Sequence, residues 1–166
     1  MKTYIDYFKE LCKIPHGSGN TKKISDYCEN FAKEHSLRFI REDCGNIIIF
    51  KNGSKGFEKS EPVILQGHLD MVCVTDGKTE IDFENDGLTV LEDEDFLFAK
   101  GTTLGGDDGI APAYAFEILS RDDIPHPPLE IVLTIDEETG MDGAVGFDAS
   151  ILQGKRLLNI DSEEEG

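Results

Sequence analysis

The sequence predicts an α/β fold of three layers, with helices on both faces of a mostly parallel sheet. Three observations carry that expectation. Short apolar runs at residues 62–66 (PVILQ), 129–135 (LEIVLTI) and 156–160 (RLLNI) read as strands, the first continuously apolar as expected of a strand buried on both faces and the second the clearest in the chain. Segments with helical spacing lie between them, as in parallel sheets built from crossovers. Acids or a histidine directly follow each run, at the strand ends beyond which the ligands of such sheets bind.

Taken in order, residues 4–14 place Ile5, Phe8, Leu11 and Cys12 on one helical face, and Pro15 ends that helix. HGSGN (16–20) is a loop. Thr21 is placed to cap a second helix over 22–35, with Ile24, Cys28, Phe31 and Ala32 as its apolar face. Strands at 38–41 and 46–51 are joined through Cys44-Gly45-Asn46, and 52–61 is a polar connection. Residues 79–100 alternate and turn, which predicts an antiparallel hairpin region of two or three strands with turns near 85–87 and 92–95. A helix over 108–120 should turn Ile110, Ala113, Tyr114 and Phe116 to the core. Short helices are expected near 143–147 and 150, between the last two strands.

With 166 residues, 39% of them hydrophobic and 30% charged, the chain suits one compact domain with a real core. Its charge is lopsided. Residues 1–60 carry 11 basic and 8 acidic side chains, and the remainder 5 and 26, for a net −18. So acidic a chain should repel nucleic acid and anionic membranes, and neither is expected as a partner. Nothing reads as a signal peptide and no run approaches ~18 apolar residues, so a soluble cytoplasmic protein is the expectation. Cys12, Cys28, Cys44 and Cys73 form no CxxC pair and read as reduced thiols.

The chemistry concentrates at GTTLGGDDG (101–109). Glycines bring the backbone close to a ligand, and the adjacent carboxylates Asp107 and Asp108 repel unless a cation sits with them. His68 is followed two positions on by Asp70, spacing that lets the aspartate hold the imidazole's other nitrogen. Glu137 and Glu138 diverge, so one can bind metal while the other takes a proton from water. Asp161 repeats the pattern after the last strand. One histidine and at least four carboxylates are enough for two divalent ions ~3.5–4 Å apart.

Three decoys are set aside. DFENDGLTVLED (82–93) has the acids and Gly87 of a calcium loop, but Glu84 is long for its position and the flanks are β-rich. GTTLGG lacks the lysine of a phosphate loop. Ser18 near His16 has no GxSxG elbow to make it a nucleophile.

The strings IPHGSGNTKKI, CGNIII, VILQGHLDMV, AKGTTLGGDDGIA, LTIDEETGMDGA and LLNIDSEEEG span nearly the whole chain. In that order they closely resemble the amino-terminal part of aminoacyl-histidine dipeptidases, of the co-catalytic zinc family of aminoacylases and carboxypeptidases. The resemblance implies that His68 and Asp161 ligate one metal, Glu138 the other, and that Asp107 bridges them. It implies Asp70 as the aspartate orienting the histidine and Glu137 as the general base. Two zinc ions are implied, and the carboxylate-rich set would also accept manganese or cobalt. The substrate implied is a small peptide, an Xaa-His dipeptide. A lid or dimerisation domain and a later catalytic segment with the last histidine ligand would lie beyond residue 166, making residues 1–166 a fragment of weak or absent activity and the full protein a homodimer. A tripeptidase or N-acyl amino acid deacylase of the same family is the alternative, and a non-catalytic acidic metal-binding module is the alternative of another class.

Overall fold

The computed structural model describes residues 1–161; the acidic run at 163–165 lies outside the described residues. The first helix, α1 (Tyr4–Leu11), starts at a capping box in which Thr3 and Asp6 satisfy each other's backbone amides. The second, α2 (Lys22–Glu34), has Thr21 at its N-cap, but the threonine side chain makes no capping bond. Strands β1 (Arg38–Arg41) and β2 (Ile47–Lys51) follow, then β3 (Val63–His68). The apolar run of the sequence ended at Gln66. The strand runs two residues further, so His68 is its last residue rather than the start of a loop. Residues 79–100 give a hairpin of β4 (Val90–Glu92) and β5 (Leu97–Ala99), closed at the expected turn where Asp93 N donates to Phe96 O. No third strand forms, because Asp82 and Asp86 bind the local backbone and fold 82–86 into turns.

Helix α3 (Gly106–Ser120), strand β6 (Leu129–Thr134), the short α4 (Asp142–Val145), a 3-10 turn over Ala149–Ile151 and strand β7 (Arg156–Asn159) complete the order. The first residues of α3 are not truly helical: Asp107 has ψ 112° and Asp108 φ −110°. The regular helix therefore begins after them, one residue later than the expected start at 108. It turns Ala111, Ala115, Phe116 and Leu119 inward, while Tyr114 stays partly exposed against Tyr4.

The main sheet has the order β1-β2-β6-β3-β7. β3 is parallel to both β6 and β7, and β2 is antiparallel to both β1 and β6. Four of the five strands thus run the same way, with β2 reversed. Both sheet faces are apolar, which is why the strands read as unbroken hydrophobic runs. On one side Ile47, Ile49, Ile131 and Leu133 meet Phe8, Leu11, Ile24, Phe31 and Phe116 from the three long helices. On the other, Ile48, Phe50, Ile64 and Val132 are covered more thinly, by Phe147, Ile151 and Leu152. None of the described helices is long and apolar enough to cross a membrane.

Candidate metal centre

β3 and β6 end side by side, with His68 paired to Thr134, so whatever follows each strand is delivered to one rim. The start of α3 reaches the same rim because Gly67 has no side chain. A Cβ there would lie 2.5 Å from Asp108 Oδ2 and 2.6 Å from Ala111 Cβ. Gly105 makes the turn into the helix at φ 69°, the left-handed region that glycine tolerates.

Asp70 is the anchor of this rim. Its carboxylate accepts from Ser18 Oγ at 2.7 Å, from Glu137 N at 3.0 Å and from Glu138 N at 3.3 Å. The same carboxylate lies 3.4 Å from His68 Nδ1, whose nearer partner is the Asp70 main-chain oxygen at 2.9 Å. Asp70 therefore holds the imidazole chiefly through its backbone, and spends its carboxylate on fixing the two glutamates. With Nδ1 occupied, His68 Nε2 faces outward, 3.1 Å from Asp107 Oδ1 and 3.9 Å from Glu137 Oε2.

Burial opposes charge on His68, but Asp70, Asp108 and Asp107 outweigh it and lift its pKa to about 9. Burial also opposes charge on Asp70, yet His68, the Ser18 hydroxyl and the Glu137 amide pull its pKa to about 2. Glu138 is raised, by burial and then by Asp107. Asp108, fully buried, is pushed up to about 7 by burial, with Asp161 and Asp107 adding repulsion and the His68 amide opposing them.

His68, Asp107 and Glu138 each offer a ligand atom within 4.8 Å of the others. Among the described residues this is the group that could hold a metal ion. One nitrogen and two oxygens so spaced suit a divalent ion such as zinc, at metal–ligand distances of ~2.0–2.2 Å. A cation there would compete with a proton for His68 Nε2. Asp161 stands outside this group. It follows β7 and lines a groove of about 300 Å³ on the thinly covered face, which Glu137 also reaches. The calcium-like loop is not part of any such group: Asp82 accepts from Glu84 N and Asn85 Nδ2 instead.

Two contributors were missed in the sequence. Ser18, set aside as a nucleophile, is a hydrogen-bond donor to Asp70 across 52 positions of chain. Asp136, at φ 53°, accepts from Gly19 N at 2.7 Å and so ties the 16–20 loop to the turn carrying the glutamates. The HGSGN string was the available signal, since glycines around a small polar residue allow such close crossing.

The chain is 43% identical, over 97% of its length, to the cytosol non-specific dipeptidase of Escherichia coli. The resemblance to the dipeptidases holds. Among solved structures, an aminoacylhistidine dipeptidase from Vibrio alginolyticus matches with a TM-score of 0.94 at 40% identity, covering 98% of this chain and 33% of that one. A tripeptidase from Staphylococcus aureus shares the fold, with a TM-score of 0.80 at 22% identity over 97% of this chain and 43% of that one. No protein-family model matches. The chain spans about a third of the length of both dipeptidase relatives.

Proposed function

We propose that the complete protein is a cytoplasmic metallopeptidase hydrolysing small peptides, Xaa-His dipeptides among them, at a centre of two divalent ions. Zinc is the metal this reading favours, with manganese or cobalt as substitutes, and the protein acts as a homodimer through a lid domain. The observation that carries the reading is the meeting of His68 Nε2 with Asp107, Glu138 and Glu137 at one rim. The similarity to two proteins named as dipeptidases supports it.

When bound, the metal polarises the scissile carbonyl and brings the pKa of water toward ~7. The protein's own groups do the rest. His68, with Nδ1 committed to Asp70, presents Nε2 as a ligand, and Asp161 contributes a carboxylate on its side. Asp107 would hold both ions, and Glu138 would hold the second. Glu137 takes the proton of water as the water oxygen adds to the carbonyl carbon, then returns it to the amine as the C–N bond breaks. Both glutamates are held by their amides on Asp70, so base and ligand keep a fixed separation.

Glu137→Gln in the complete protein tests this. The expected result is a fall in kcat of at least about a thousandfold with bound zinc unchanged. Undiminished turnover, or loss of the zinc, would remove Glu137 from the role of base. The isolated chain, bringing three clustered ligands, should bind one ion and turn peptides over weakly or not at all.

A further inference from the structure

The six asparagines of the chain are not equally protected from their own backbone. Asparagine is thermolabile because the amide nitrogen of the next residue can displace the side-chain nitrogen. That attack needs a side chain free to turn and an amide that is not already donating. Four of the six have Nδ2 engaged: Asn20 on Glu84 O, Asn46 on Glu42 and Gly143 O, Asn85 on Asp82, and Asn159 on Gln66. Asn30 lies inside α2, where the amide that follows it belongs to the helix and to a bulky Phe31.

Asn52 differs on every count. It is exposed, in the irregular stretch after β2, at the edge of an open groove. Its side chain has no hydrogen-bond partner among the described residues, and no described group accepts from the Gly53 amide. The residue after it is glycine, the one Asn-Gly pair in the chain, so no side chain shields the attacking nitrogen.

We propose that Asn52 is a site of spontaneous deamidation, ageing to aspartate and isoaspartate with water as the only co-reactant. Gly53 N bonds to Asn52 Cγ, and the side-chain nitrogen leaves as ammonia with the amide proton, closing a succinimide ring. Water then opens the ring. Opening at Cγ gives aspartate. Opening at the main-chain carbon gives isoaspartate, the larger share, whose backbone runs through Cβ and Cγ and is one carbon longer. The proposal does not depend on the peptide-hydrolysis reading.

The added carbon has no slack to occupy. Lys51 is paired with Leu129 in the sheet, and its ammonium lies 3.2 Å from Ile118 O and 3.1 Å from Leu119 O at the end of α3. Beyond Asn52, Ser54 is clamped to His126 in both directions: Ser54 N donates to His126 O, and His126 N to Ser54 Oγ, each at 2.9 Å. Between these anchors Gly53 packs so closely that a Cβ would lie 2.5 Å from Phe57 O. Isoaspartate should therefore strain the clamp at Ser54, whereas aspartate adds only a charge. Leu129 begins β6, so this is the end of the sheet away from His68.

The test is to age the folded protein in mildly alkaline buffer and follow each asparagine-containing peptide by mass spectrometry. The peptide carrying residue 52 should gain about 1 Da, at least about tenfold faster than any of the other five. A carboxyl methyltransferase that recognises isoaspartate, given a labelled methyl donor, should label the same peptide. Ammonia release should be suppressed in Asn52→Gln. Conversion at residue 52 no faster than at the other asparagines, or only in urea, would overturn the proposal. Asn52→Asp separates charge from chain length: the aged protein should unfold at lower urea than this variant. Equal midpoints would overturn the assignment of strain to the Ser54 clamp.

Discussion

β3 and β7 are neighbours in one sheet, run the same way and each lead to an aspartate, yet their ends are built to opposite standards. At the end of β3, His68 and Asp70 are each 1% exposed, and Asp70 has hydrogen bonds from three separate residues. Along β7 every residue is exposed, and Leu157 and Leu158, which face opposite sides of the sheet, are each 55% exposed. The difference lies in the neighbours. β3 is flanked on both sides by strands and roofed by α3, whereas among the described residues β7 has β3 alone beside it. A carboxylate becomes a fixed group only where partners surround it closely enough to offset its lost hydration.

Asp70→Ala should have the largest effect, because it leaves half-buried donors from Ser18, Glu137 and Glu138 without their acceptor and the buried His68 without its carboxylate. A loss of about 3–5 kcal/mol is expected, read as a lowered urea midpoint. A loss below about 1 kcal/mol would erase the contrast with β7, since surface changes cost little. His68→Ala comes next: zinc affinity by calorimetry should fall at least about 100-fold. His35→Ala, at an exposed position, should leave affinity unchanged.

Asp108→Asn should show a smaller effect that depends on pH. The folded chain holds the Asp108 proton more tightly than the unfolded chain, since its pKa is raised to about 7. Stability from this group is therefore full below its ordinary value of 3.8 and lost as pH rises through about 7. Asparagine keeps an acceptor for the His68 amide and abolishes that loss. In the metal-free chain the two proteins should match near pH 4, and the variant should be the more stable at pH 8, by at most about 4 kcal/mol. His68, raised to about 9, weakens both chains in the same direction at still higher pH. Smallest of all, Leu157→Thr on β7 should cost no more than about 0.5 kcal/mol by urea unfolding. A cost several times larger would mean that the edge strand is packed after all.

Much of this molecule could be read without coordinates, because the signals are local. Helical spacing in α1 and α2 and the apolar runs of β2, β3 and β6 report burial that each segment imposes on itself. The likeness to the dipeptidases was readable too, from strings kept in order along the chain. Whether 79–100 holds two strands or three was left open, because alternation cannot show that Asp82 and Asp86 fold back on their own backbone. The job of Ser18 was invisible for another reason: its partner is 52 residues away, and an isolated parallel bridge between Gly17 and Met71 brings them together.

The order of residues thus settled which side chains have the chemistry: an imidazole two places before an aspartate, paired acids after strands, glycines beside Asp107. Periodicity and spacing are properties of neighbours along the chain, so they survive without a fold. Which of those groups meet was settled in three dimensions. Register placed His68 against Thr134, Gly67 let α3 close over β3, and Asp107 and Glu138 joined the imidazole while Asp161 stayed apart. Contacts between distant segments depend on packing and pairing summed over the whole molecule, and no short stretch of sequence contains that sum.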